Sequence, residues 1–302
     1  WGIVLRRILI GAATLLFVSL AIVPGTQVLP GGTAQIRLGQ EPAPENVAAL
    51  RARPGLDRPL YEQYFGWLQG FVTGDLGRSL AGDVPVSRMI GDRWFNTVVV
   101  AAWTVAISVP LSIAHGLMAA MWPGSAFDRG LRLFNVALMA TPEFFVATAL
   151  VATFVIGVGY GSAVVIGSTA SKGPVGLLLH VIYPVITLSF ITSSQTIRLT
   201  RAALLNVLTA PHVEMARLKG VERRRLVNVV APNLAYLISG VVVVEVYFSY
   251  PGLAVLLVQA VQTRDFIVIQ SVGMLFCAAD VIIILIADLA AILSNPRLRH
   301  PK

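Results

Sequence analysis

Acidic side chains within long apolar runs are the residues of this chain whose type and position best suit chemistry or transport. Glu143, Glu245 and Asp280 each interrupt a run rich in Leu, Ile, Val and Phe. A carboxylate near the centre of a bilayer costs about 2.5–3.5 kcal/mol on insertion scales, so such a group faces protein or a water-filled path. The sequence therefore predicts either a solute path lined by these carboxylates or structural hydrogen bonds between helices. For Asp288, which lies close to Arg297, the structural role is favoured.

The histidines and the cysteine do not form a catalytic or metal-binding pattern. The four histidines are scattered without the spacing of metal ligands, and they are His115, His180, His212 and His300. The single cysteine, Cys277, excludes an intrachain disulfide. The sequence also has no phosphate-binding GKS/T loop and no nucleophile elbow. We therefore expect no metal site, no cofactor and no ATP-hydrolysing site within this chain.

Transmembrane helices must position the acidic residues, as the composition indicates. Of the 302 residues, 56% are hydrophobic and 13% are charged, and the mean hydropathy is +0.77. This balance is typical of a polytopic membrane protein and excludes the soluble classes. Since a span needs about 20 apolar residues, we predict an all-α protein with six transmembrane helices, over residues 8–29, 95–121, 133–158, 178–199, 233–250 and 268–293. We interpret the first run as a span and not a signal peptide, because no clean cleavage site follows it.

The distribution of Lys and Arg predicts the orientation of these spans. Short segments at the N-terminus, around 211–232 and at the C-terminus are rich in both residues. Because basic residues in short loops favour the cytoplasm, we expect both termini and segment 211–232 to be cytoplasmic. Most other basic residues lie in one long segment, 30–94, which carries little weight for orientation. This bias explains much of the net charge of +8 without a nucleic acid partner.

The long segment 30–94 is predicted to be folded on the outer face. Pro44–Arg53 and Pro59–Phe71 each have the pattern of a short helix that begins with Pro, and the Gly-Asp-Leu-Gly sequence at 74–77 predicts a turn. A further short amphipathic segment, Pro251–Asp265, is expected on the same face. We therefore divide the chain into an N-terminal segment with the first helix (1–29), an outer loop with short helices (30–94) and a transmembrane core (95–302).

One long polar and strongly basic segment, Pro211–Pro232, lies between two apolar runs in the second half of the chain. Pro211 suits the first turn of a helix, Glu214 lies where the helix dipole favours an acid, and Gly220 indicates a turn. A second short helix is predicted from Glu222, and it carries Arg223, Arg224 and Arg225. Two short helices held between spans suit docking to a partner. The alternative is a generic basic loop on the cytoplasmic side.

This segment resembles the coupling helix of ABC importer permeases. Glu214-Met215-Ala216, three further residues and then Gly220 are similar to the family's EAA–x3–G signature. In that family the helix inserts into a cleft on the cytoplasmic ATPase. The resemblance implies that the coupling residues are Glu214, Met215, Ala216, Arg217, Gly220, Arg223 and Arg224. The sequence departs from the family at Ala231-Pro232, which stands one residue earlier than the usual Leu-Pro.

A second stretch resembles one branch of these permeases more specifically. The run from Gly55 to Ser79 is similar to the outer segment of the first permease subunit of oligopeptide, dipeptide and nickel importers. The resemblance covers essentially the whole chain, with further matches at Asp128-Arg129, Pro142-Glu143-Phe144, Thr200-Arg201-Ala202, Glu245–Gly252 and Asn295-Pro296-Arg297. The entry to the outer loop departs from the family, since two Pro-Gly pairs at 24–32 replace a single PGDP.

The resemblance implies the fold and the function of this class. We expect the type I ABC importer permease fold, with segment 30–94 as a periplasmic loop, in the bacterial inner membrane. The expected function is half of the translocation path for peptides or related small solutes. The expected partners are a second, homologous permease in a heterodimer, two ATP-binding subunits that hold ATP and Mg, and a periplasmic or lipid-anchored solute-binding protein.

Two other classes of protein compete with this interpretation. A secondary transporter without an ATPase usually shows internal repeats with paired broken helices, and this sequence has no convincing repeat. An intramembrane enzyme would need a Ser–His, paired Asp or HExxH set within the spans, and none is present. The solute stays open among peptides, glutathione, opines, nickel chelates and sugars.

Overall fold

The computed structural model describes residues 2–27, 59–162, 164, 174–208, 241 and 243–294. The helices within these ranges are α1 Gly2–Gln27, α2 Leu60–Thr73, α3 Val86–Met121, α4 Ala126–Ala140, α5 Glu143–Leu150, α6 Pro174–His180, α7 Ile182–Leu208, α8 Leu253–Gln262 and α9 Phe266–Ser294. A π-helical segment, Val151–Gly157, directly continues α5. In these ranges the chain forms no strand beyond one isolated bridge between Arg78 and Pro85. The all-α prediction is confirmed.

Within the described ranges, three helices are long and apolar enough to cross a membrane: Val4–Val23, Val86–Met121 and Phe266–Ile286. The bent pair Ala126–Ala140 and Glu143–Gly157 gives up to four spans if the pair is counted as one. The described residues thus support a membrane-spanning chain, and the count of six stays a prediction. Half of the predicted span 233–250 and the whole helix predicted over Pro44–Arg53 lie outside the described residues.

The third predicted span, 133–158, is not one continuous helix. The two helices of the bent pair meet at an angle of 106°. Pro142 lacks a backbone N–H, and the residue before a Pro is disfavoured from helical geometry. Accordingly, Thr141 (φ −94°, ψ 124°) and Pro142 (φ −60°, ψ 146°) are both extended. The span predicted over 133–158 is therefore broken at this proline, whereas Pro110 lies inside α3 without ending it.

Of the two short helices predicted in segment 30–94, the one over Pro59–Phe71 is present as α2, and the amphipathic segment Pro251–Asp265 contains α8. α2 begins directly after Pro59 and ends at Gly74, whose left-handed conformation (φ 84°) a side chain with a Cβ would resist. α8 buries Leu253, Ala254 and Leu256 and leaves Gln262 exposed, but Val261, which the amphipathic pattern assigns to the apolar face, is also exposed. Both elements belong to the first of two compact units, which comprises residues 1–96 and 251–282.

Each unit has its own apolar core. In the first unit, residues of α3, α8 and α9 pack together, with Val86, Ile90, Leu253, Leu256, Val268 and Val272 buried. The second unit comprises 97–250 and 283–302. Its core is formed mainly by α3, α5, α7 and residues 241–250, with Val100, Val181, Val185, Leu188, Val244, Phe248 and Tyr250 buried. Since lipid tails are as apolar as these side chains, close packing holds such cores together within a bilayer.

Candidate functional site

The predicted coupling residues lie outside the described residues, which end at Leu208 and resume at Val241. They are Glu214, Met215, Ala216, Arg217, Gly220, Arg223 and Arg224. The described structure does include α7, the helix that leads directly to this segment. The contacts at the end of α7 are therefore the nearest described contacts on the N-terminal side of this segment.

A buried ion pair joins the last turns of α7 to the first turn of α4. Arg201 donates from Nε to Oδ1 of Asp128 at 2.6 Å and from Nη2 to Oδ2 at 3.0 Å. The side chain of Asp128 is 0% exposed and that of Arg201 is 21% exposed. The backbone N–H of Gly124 donates to the same carboxylate at 2.9 Å. This two-point contact fixes the planes of both groups.

Next to the ion pair, α3 approaches α7 closely at Gly116. A Cβ at Gly116 would lie 2.7 Å from the Cβ of Thr200 and 3.1 Å from the backbone oxygen of Ile197. Only a residue without a side chain fits this contact. The ends of α3, α4 and α7 therefore meet at Gly116, Asp128 and Thr200-Arg201.

On the predicted outer face, Asp265 fastens the turn after α2 to the start of α9. Its carboxylate is 2% exposed and accepts a hydrogen bond from the hydroxyl of Ser79. It also accepts hydrogen bonds from the backbone N–H groups of Leu80 and Ala81, each at 3.1 Å. The N–H of Val268 lies 3.4 Å from the same carboxylate, which thereby caps α9. One acid thus holds four donors.

We expect Asp265→Asn to destabilise the protein, because an amide cannot accept from all of these donors. A buried donor left without a partner costs about 1–3 kcal/mol. The matched control is Asp83→Asn, since Asp83 forms an exposed pair with Arg78, with side chains 64% and 59% exposed, and exposed pairs contribute about 0–1 kcal/mol. Thermal denaturation in detergent should give a lower unfolding midpoint for Asp265→Asn than for the wild type. The midpoint of Asp83→Asn should be unchanged. Equal midpoints for the two variants would contradict this role.

Of the predicted path carboxylates, Glu245 is completely buried. Thr97 Oγ1 on α3 donates to Glu245 Oε1 at 2.6 Å, and Glu245 is 0% exposed. This contact is a hydrogen bond between helical segments, the structural alternative stated for these acids. It accounts for a carboxylate inside an apolar core. A role in a solute path stays a prediction.

Glu143 and Asp280 are placed differently from Glu245. Glu143 is half-buried in the first turn of α5, directly after the bend at Pro142. The positive end of the helix dipole favours an acid there. Asp280 is half-buried within α9 and belongs to the other compact unit. Glu143 and Glu245 share the second unit, where Tyr247 donates to Thr148 at 2.9 Å and so joins the two segments that carry them.

The second unit also has a half-open pocket of about 440 Å³ between α3, α4 and α7. Its described walls are mainly apolar, with Leu111, Phe134 and Phe190 among them, and Asn135 and Ser189 add polar groups. Neither Glu143 nor Glu245 is among the described lining residues. The sequence did not predict this pocket. As for metals, no group of three or more His, Cys, Asp or Glu within the described ranges is arranged to hold an ion.

Comparison with known proteins decides the family. Residues 112–300 match the family described as the inner membrane component of binding-protein-dependent transport systems. The chain belongs to this family. Residues 2–105 match the N-terminal part of such components. The protein is thus a membrane permease component of an ABC transporter and not itself an enzyme, and it works with an ATPase and a solute-binding protein. It is an integral membrane protein of the inner membrane.

Full-length relatives support this assignment. The "Probable peptide ABC transporter permease protein y4tP" of Sinorhizobium fredii is 30% identical, over 98% of this permease and 99% of its own length. The "Glutathione transport system permease protein GsiC" of Escherichia coli is 30% identical, over 98% of both chains. The predicted resemblance to ABC importer permeases is confirmed.

The sequence contained signals for the contact between Asp128 and Arg201 and for the contact between Ser79 and Asp265, although it did not predict either contact. Asp128 and Arg201 were each part of a short match to the family, and their opposite charges are the signal that they pair. Ser79 ends the matched outer run, and Asp265 was assigned only to the polar face of an amphipathic segment. Each partner lies far from the other along the chain, so helix packing has to be known before they can be paired.

Proposed function

We propose that this permease forms a heterodimer with a second, homologous permease and that the two enclose the solute path of an ATP-driven importer. Two ATP-binding subunits, which hold ATP and Mg, complete the complex on the cytoplasmic side. A periplasmic or lipid-anchored protein delivers the solute. The observation that carries the proposal is the match to the family over both residues 2–105 and 112–300.

The proposed solutes are peptides or related small molecules. Two full-length relatives are named for peptides and for glutathione. These solutes share amide bonds flanked by charged ends. They would require hydrogen-bonding groups along an otherwise apolar path, and Glu143, Glu245 and Asp280 are the acids proposed to supply such groups. The chain needs no cofactor of its own for this task.

Coupling to the ATPase is assigned to segment 211–232. Its polar, basic composition between two apolar runs supports this assignment, together with the EAA–x3–G-like residues from Glu214 to Gly220. The end of α7, fixed by Asp128 and Arg201, would pass on a displacement of the segment to α3 and α4.

The proposed function is tested by reconstituting the complex in liposomes, with and without this permease. Radiolabelled dialanine and glutathione serve as probes, with the binding protein present. We expect uptake that requires ATP and is insensitive to ionophores. Ionophore-sensitive uptake by this chain alone, without ATP, would instead support a secondary transporter.

The proposed orientation predicts a simple labelling pattern. In a background without Cys277, a cysteine at Ala81 should react with a membrane-impermeant maleimide added outside. One at Thr209 should react only after the membrane is opened, because the basic segment that follows favours the cytoplasm. Labelling of position 209 in intact cells would contradict cytoplasmic placement of the segment and of both termini.

A further inference from the structure

Arg201, one partner of the ion pair with Asp128, lies close to the proposed coupling segment along the chain. Arg201 is roughly two helical turns before Leu208, where the described part of α7 ends. A helix resists bending over so short a length, so the position of Arg201 constrains the point from which segment 211–232 departs. The ion pair is thus placed to control that point.

The contact is rigid, and breaking it is costly. Its two bonds of 2.6 and 3.0 Å restrain both the distance and the relative orientation of the two groups. Gly124 N–H holds the carboxylate from the α4 side. Because Asp128 is 0% exposed, separating the pair would leave a buried carboxylate without its closest cation. The end of α7 and the turn before α4 therefore move together.

A third helix is joined to the same place by packing. The contact between Gly116 and Thr200 brings the α3 backbone against α7 one residue before Arg201. Phe134 of α4 and Phe190 of α7 extend the contact between those two helices, with ring centroids 6.3 Å apart. A displacement of the end of α7 is consequently shared by α3 and α4.

We propose that Asp128 and Arg201 are positioning residues that convert movement of segment 211–232 into joint movement of α3, α4 and α7. This inference rests on the proposed function of that segment. Without the pair, α7 would shift alone when the ATPase subunits move. ATP would then be hydrolysed without a matching displacement of α3 and α4. Solute transport would thus be uncoupled from ATP hydrolysis.

The experiment measures the number of solute molecules imported per ATP hydrolysed, in liposomes that contain the complete complex with its binding protein. The probes are radiolabelled dialanine and glutathione, and the variants are Asp128→Asn, Arg201→Met and both together. We expect the ratio to fall roughly tenfold in each single variant, because the lost contact is a buried ion pair. The double variant should be no worse than the single ones, since all three lack the same interaction.

Arg132→Met is the matched control. Arg132 lies 3.7 Å from the same carboxylate, but its side chain is 54% exposed, so the ratio should stay at the wild-type value. If Asp128→Asn or Arg201→Met yields too little complex, Arg201→Lys keeps the charge without the two-point contact and should also lower the ratio.

Two results would overturn the inference. An unchanged ratio per assembled complex in Arg201→Lys and the other variants would mean that the pair only stabilises the fold, while the proposed function would stand. A wild-type complex that imports neither probe in an ATP-dependent manner would overturn the proposed function, and this inference with it.

Discussion

Replacing Gly220 by Val and Ala216 by Trp should abolish solute uptake while the permease still inserts and docks its binding protein. Ala216 is small, which lets a helix seat closely in a groove of a partner. Gly220 permits a turn that a residue with a Cβ resists if φ is positive there. Bulk at these positions should therefore prevent the ATPase from passing its movement to the spans. Both residues lie outside the described part of the structure, so the expectation comes from the sequence.

The measurement is binding-protein-stimulated ATP hydrolysis together with uptake in the reconstituted complex. His212→Gln, a change in the same segment but outside the EAA–x3–G-like residues, serves as control and should retain both activities. Wild-type stimulation and uptake in the Gly220→Val, Ala216→Trp double variant would return the segment to the alternative of a generic basic loop.

The second large effect is expected at Gly116, where α3 meets α7. The substitution Gly116→Ala places a Cβ 2.7 Å from the Cβ of Thr200, and overpacking of this kind costs about 1–3 kcal/mol. Gly91→Ala on the same helix is the matched control, because no atom lies within 4 Å of its added Cβ. Replacing an unhindered helical Gly by Ala stabilises by about 0.5–1 kcal/mol. The two identical substitutions should thus change stability in opposite directions.

Stability after heating can be followed as the fraction of monodisperse protein that survives on a sizing column. Gly116→Ala should lower the half-survival temperature and Gly91→Ala should raise it. Equal shifts would show that helix propensity, and not the approach of α3 to α7, determines the outcome at Gly116.

Local patterns predicted much of the fold. Leu60, Tyr64, Trp67, Leu68 and Phe71 recur at helical spacing, and α2 forms where they predict it, from Leu60 to Thr73. Helical spacing is a property of the chain itself, so it can be read without knowing any neighbour. A kink at Pro142 follows from its missing N–H, but the size of the bend, 106°, was harder to predict, because Pro110 leaves α3 continuous. Local sequence does not distinguish the two prolines.

The candidate site was only partly predictable. Glu245 was identified from its charge within an apolar run, but its hydrogen bond to Thr97 depends on how two distant helical segments pack. The same is true of Asp128 and Arg201, whose bond spans 73 residues of sequence. Composition shows that a charge needs a partner, whereas only packing determines which partner it finds. The coupling residues from Glu214 to Arg224 stay a prediction.

The contact between Ser79 and Asp265 has a consequence for the biogenesis of the protein. The two residues are 186 positions apart, so the turn after α2 cannot complete its hydrogen bonds until nearly the whole chain has left the ribosome. At a synthesis rate of about 5–20 residues per second, this delay is roughly 10–40 s. During that time the N–H groups of Leu80 and Ala81 lack their acceptor, and the nascent outer turn should be open to membrane-bound proteases. Assembly of this face therefore depends on synthesis of the chain as far as Asp265 and α9. C-terminal truncations that remove these residues should consequently be cleaved by proteases near residue 80.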